Sequence, residues 1–63
     1  MRTHYDPVED AFYVRFADAP VAESQAVAPG ITLDFDASRR LVALEVLNAR
    51  STLAPGAVPG AVE

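Results

Sequence analysis

The chain has 63 residues, nine Asp and Glu against five basic residues, a formal net charge of −4, one His and no Cys. That length allows one domain at most, and a chain of this size buries only about 60% of the surface its unfolded form exposes, so a monomer would be marginally stable. Disulfides, thiolate metal sites, thiol nucleophiles and imidazole clusters are excluded, which leaves association with another chain as the route to a larger core.

The five basic residues are arginines, scattered except for the adjacent Arg39 and Arg40. Phosphate binding relies on clustered cations, so non-specific binding to nucleic acid is not expected. No stretch approaches the ~20 apolar residues of a membrane span, and Met1 to Tyr5 leads into strand-like sequence without the apolar core of a signal peptide. The expectation is a cytoplasmic protein with neither a membrane nor a nucleic acid as partner.

In chain order, residues 2–5 read as a short strand with Met1, Thr3 and Tyr5 on one side and Arg2 and His4 on the other. Asp6-Pro7-Val8-Glu9 predicts a capped helical turn, with Asp6 accepting from the amides ahead, Pro7 at the first helical position and Glu9 placed for a capping box. Ala11 to Phe16 resumes period two, so Phe12, Val14 and Phe16 share a face opposite Tyr13 and Arg15. Turn chemistry at Asp18-Ala19-Pro20 is followed by Val21 to Val27, which carries polar residues on both faces and reads as an edge strand.

Pro29-Gly30 suits a type II turn over residues 28–31. It leads into a hairpin whose arms are Ile31 to Asp36 and Leu41 to Leu47 and whose loop, Asp36-Ala37-Ser38-Arg39-Arg40, is expected to be exposed. Ile31, Leu33 and Phe35 alternate with Thr32, Asp34 and Asp36, while Val42, Leu44 and Val46 alternate with Leu41, Ala43, Glu45 and Leu47. Asn48 is placed to cap a short helix through Leu53. The predicted fold is mainly β, bordering on α+β: a small antiparallel β-meander of about four to five strands with a short C-terminal helix. Residues 1–54 form the domain, and residues 55–63, with two Pro-Gly pairs, a flexible tail.

Tyr5-Asp6-Pro7, Asp10-Ala11-Phe12-Tyr13-Val14-Arg15, Gly30-Ile31-Thr32-Leu33-Asp34-Phe35-Asp36 and Leu41-Val42-Ala43-Leu44-Glu45-Val46-Leu47, in this order and spacing, resemble the bacterial domain-of-unknown-function family 2283 over residues 3–50. Thr3 stands where an aliphatic residue is more usual and Ala43 where a glycine is common, departures that touch packing only. The resemblance implies a small, mostly antiparallel β domain of bacterial origin and brings no catalytic residues. Some relatives are encoded beside toxin-like partners, so it also implies an antitoxin-like binding role as one reading.

The face opposite the apolar triplets carries Tyr13, Arg15, Asp34 and Glu45, candidates for a proton donor, an anion clamp and paired carboxylates. Cross-strand pairing and solvation account for the same residues, and that reading is preferred. Asp34 and Asp36, with Glu45 as a third donor, are the candidate ligands for a hard cation, but the loop lacks the regular oxygen ligands and the glycine of a calcium loop, so a solvated acidic turn is preferred. His4 reads as a surface residue, and no cofactor is expected.

The favoured function is a non-enzymatic interaction module that self-associates and binds a protein partner. The alternatives are an antitoxin-like binder and a small hydrolase or isomerase with a polar site between subunits, built from Tyr13, Arg15, Asp34 and Glu45. Phe12, Val14, Phe16, Ile31, Leu33, Phe35, Val42, Leu44 and Val46 predict one apolar sheet face covered by a second copy of the chain. A sheet curled into a half-barrel, burying the triplets within one chain, is the competing arrangement. On the solvated-turn reading, adding Ca²⁺, Mg²⁺ or Mn²⁺ leaves the Tm unchanged in a thermal melt; a rise of several degrees restores the cation site.

Overall fold

The computed structural model describes residues 1–57. Five strands, β1 (Arg2–Asp6), β2 (Ala11–Arg15), β3 (Glu23–Ala28), β4 (Ile31–Phe35) and β5 (Leu41–Leu47), are followed by a single-turn helix, α1 (Ala49–Thr52). All neighbouring strands are antiparallel, and the sheet order is β1-β2-β5-β4-β3. The meander runs through β3, β4 and β5, and the β1–β2 hairpin joins it along the free side of β5. The connection over residues 16–22 therefore carries the chain from β2 to the far edge of the sheet.

Strand registry aligns the three apolar triplets over two of their rows. Phe12 lies opposite Val46, which lies opposite Ile31; in the next row Val14, Leu44 and Leu33 are aligned. β1 extends these rows outward with Tyr5 beside Phe12 and Thr3 beside Val14. The sheet is open, with β1 and β3 at its two edges. α1 covers one end of the apolar face: Val46 and Ala49 are buried together, with Tyr5, Phe12, Leu44 and Leu53 packed against them.

Several local expectations are refined. Phe16 lies beyond the last β2 residue but still donates its amide to Val42 O (2.8 Å). The edge strand begins at Glu23 rather than Val21, and its pairing with β4 is interrupted by an irregularity between Ala26 and Ala28. Pro7 to Asp10 form the β1–β2 turn without becoming a helix: Asp6 Oδ1 accepts from the Val8 and Glu9 amides (3.0 and 3.3 Å), and Asp10 adopts a left-handed conformation (φ 54°) that sends the chain into β2.

The Asp36–Arg40 loop is tied by Asp36, whose Oδ1 accepts from the amides of Ser38 (2.8 Å) and Arg40 (2.9 Å), and residues 37–40 are exposed as expected. A second irregularity, between Asp34 and Phe35, shifts the β4–β5 register so that Phe35 pairs with Leu41. In the expected tail, Pro55 and Gly56 lie in a turn closed by the Ala57 amide on Ala54 O (3.0 Å), and residues 58–63 lie outside the described residues. Among the described residues no helix is long and apolar enough to cross a membrane.

Gly30 occupies the turn position that needs positive φ (78°), and its carbonyl accepts the Leu47 amide (2.7 Å). A Cβ there would stand 3.1 Å from Leu47 O, so both backbone conformation and space favour glycine. Gly30→Ala is expected to destabilise the fold by about 1–3 kcal/mol in chemical denaturation, with the m-value unchanged.

Candidate functional site

The polar face is organised in rows by the same registry. Arg2, Arg15, Ala43, Asp34 and Ser24 form one row across the sheet, and His4, Tyr13, Glu45, Thr32 and Ala26 form the next. All four residues proposed from the sequence as chemistry-bearing, Tyr13, Arg15, Asp34 and Glu45, therefore share this face. Their local arrangements differ. Arg15 donates to Tyr13 Oη (3.1 Å) and to the Ala19 carbonyl (2.8 Å), and its Nε lies 3.7 Å from Asp18, which also pairs with Arg2. The guanidinium thus fastens the connection over residues 16–22 to the sheet.

Asp34 Oδ1 accepts from the Ser24 hydroxyl (2.6 Å) on the neighbouring edge strand, and the strand of Ala43, which is completely buried, separates it in registry from Arg15. Glu45 is exposed. A surface depression of about 310 Å³ is lined by Arg2, Thr3, His4, Tyr13 and Arg15, so it includes Tyr13 and Arg15 but neither carboxylate. Exposed His4 is part of that lining. As for the cation candidates, Asp34 is bound to Ser24 and Asp36 is occupied by two loop amides, with the β4–β5 irregularity between them. Among the described residues no group of three or more His, Cys, Asp or Glu side chains is placed to hold a metal ion.

Sequence reasoning passed over Asp10, which makes the longest-range side-chain hydrogen bond among the described residues. Its Oδ1 accepts the Tyr5 hydroxyl (2.6 Å) and the Arg50 amide (3.2 Å), and its carbonyl accepts the Ala49 amide (2.9 Å). Asp10 therefore caps α1 from the opposite end of the chain. Asn48, expected to do so, is instead left-handed (φ 52°) and makes no side-chain cap bond. An Asp closing a Pro-containing turn was a visible signal for a left-handed position, because a short polar side chain tolerates that conformation. Its helix partner lies 40 positions away, beyond the reach of local pattern.

A family model described as "Protein of unknown function (DUF2283)" matches residues 2–50. No curated protein and no solved structure matches the chain.

The Asp10 bond also sets the ionisation of Tyr5. Donating to the carboxylate favours the neutral phenol, and desolvation adds to this, while the charge of Arg50 opposes it; the Tyr5 pKa is raised from its ordinary 10.0. A folded-state pKa above the unfolded one makes this contribution fully present below about pH 10 and lost as the pH rises through the folded value. Tyr5→Phe should accordingly flatten the decline in stability above pH 10, measured by urea denaturation across pH. Asp10→Ala removes the side-chain half of the cap and the Tyr5 bond and strains the left-handed turn, with an expected loss of about 1–3 kcal/mol, whereas Asp10→Asn keeps an acceptor and the conformation and loses less.

Proposed function

We propose that this chain, which belongs to the DUF2283 family of proteins of unknown function, is a non-enzymatic, self-associating protein-interaction module. The observation that carries this reading is the incomplete burial of its apolar sheet face. Val42 and Val46 are the largest side chains fully withdrawn from solvent. Phe12, Ile31, Leu33, Phe35 and Leu44 are only half-buried, and Phe16 is 43% exposed.

An isolated sheet needs a second layer to bury one face, and a helix of four residues is too small to be that layer. Each large apolar side chain contributes about 1.5–3 kcal/mol when fully buried, so covering the half-buried triplets is a substantial gain for a chain of marginal size. The polar face supports the same reading in a different way. Arg15, Asp34 and Asp36 hold loops and an edge strand in place, which gives each of them a structural role independent of chemistry.

Sedimentation equilibrium at micromolar concentration is expected to show a reversible dimer, with a thermal midpoint that rises with protein concentration. A cooperatively folded monomer across that range overturns the proposal.

A further inference from the structure

Arg2 and Arg15, far apart in the sequence, are directly opposed on β1 and β2, both on the polar face. Like charges in opposed cross-strand positions repel each other, yet this pair gathers two of the five basic residues of an acidic chain at one spot. In the next row His4 lies opposite Tyr13. One corner of the sheet therefore carries two guanidiniums, an imidazole and a phenol.

Two surface depressions meet at the arginines. The smaller, about 200 Å³, is lined by both of them and by Asp18. Asp18 pairs with Arg2 and stands 3.7 Å from Arg15 Nε, so on that side the chain supplies its own carboxylate. The larger, about 310 Å³, has no carboxylate among the described residues that line it, and exposed Glu45, opposite Tyr13 on β5, lies outside it. Donors are left over there. A guanidinium has five N–H groups, of which Arg15 uses two, on Tyr13 Oη (3.1 Å) and Ala19 O (2.8 Å), and Arg2 one, on Asp18. Because Tyr13 Oη accepts from Arg15, its own hydrogen is available to a further acceptor.

We propose that the larger depression binds a small phosphate monoester, its phosphate held by Arg2 and Arg15 and its organic part lying beside Tyr13 and His4. A carboxylate matches one guanidinium; a phosphate monoester, with three terminal oxygens and close to two negative charges at neutral pH, matches two. The volume is at the lower end for small-molecule sites and takes one ring beside the phosphate. Asp18 is the internal competitor for the same two cations. Its side chain is 83% exposed on a connection without regular structure, and ion pairs so exposed contribute little and are readily exchanged. The site is on the face opposite the apolar one, so it stands whether or not the chain self-associates.

Phenyl phosphate titrated into ¹⁵N-labelled protein should give saturable amide shifts centred on residues 2–4 and 13–15, at lower concentration than inorganic phosphate. Arg2→Gln, at a side chain 71% exposed, keeps a folded amide spectrum and weakens binding about tenfold through loss of one charged donor. Asp18→Asn removes the competing charge and tightens binding roughly two- to fivefold, while the Arg15 bond to Ala19 O keeps the connection in place. Arg40→Gln, in the hairpin loop, leaves the affinity unchanged. A purely structural ion pair predicts no gain from Asp18→Asn, so unchanged or weaker binding in that variant overturns the proposal, as does the absence of saturation at millimolar phenyl phosphate. Equal weakening by Arg2→Gln and Arg40→Gln reduces the binding to the general field of the protein and overturns the site. Equal affinity for phenyl phosphate and inorganic phosphate overturns the contact with Tyr13 and His4.

Discussion

The pairing of β5 on both its sides is the constraint on which the rest of the structure depends. β5 is the longest strand, it hydrogen-bonds to β2 on one side and β4 on the other, and it supplies Val42, Ala43 and Val46 to the short roster of fully buried residues. Because side chains alternate along a strand, its registry decides which residues of all five strands share a face. A slip of one residue would exchange the Val42–Leu44–Val46 series for Leu41, Ala43, Glu45 and Leu47 and place a carboxylate in the apolar row. The Gly30 turn supports this registry directly, since the Leu47 amide is bound to Gly30 O.

A second dependence runs through Asp10. Four residues cannot sustain a helix in water, because nucleation costs more than one turn of hydrogen bonds returns. α1 persists because Asp10, held in the β1–β2 turn and bonded to Tyr5, accepts amides of its first turn. The first hairpin and the end of the domain are thereby joined, and the only helical cover of the apolar face among the described residues rests on one carboxylate and one carbonyl. Covering that end alone leaves the larger part of the face half-buried.

The candidate site shows why residue type alone was an ambiguous guide to chemistry. Tyr13, Arg15, Asp34 and Glu45 were correctly placed on one face by period two, since alternation follows from strand geometry. Which of them meet was not legible, because that depends on strand order. With β5 between β2 and β4, Arg15 and Asp34 are separated by buried Ala43, and each engages a nearer partner: Arg15 holds Tyr13 and Ala19, and Asp34 holds Ser24. A chain this small uses its few long polar side chains to secure connections its core cannot.

The sequence by itself determined the five strands to within one or two residues, the Pro29-Gly30 reversal, the exposed residues 37–40 of the hairpin loop and, except at Leu41, which the β4–β5 irregularity pairs with Phe35, the membership of the two faces on β2, β4 and β5, because each follows from alternation or from turn chemistry over a few neighbouring residues. The strand order, the irregularities at Val27 and near Asp34, and the capping of α1 by Asp10 were decided only in the tertiary structure. Those features depend on residues far apart in the chain. The β1–β2 hairpin lies along the side of β5 that β4 leaves free, and Asp10 caps α1 where that docking brings the two ends together. Local pattern states what a segment can pair with; the partner is settled by competition among all segments for the same hydrogen bonds and the same apolar cover.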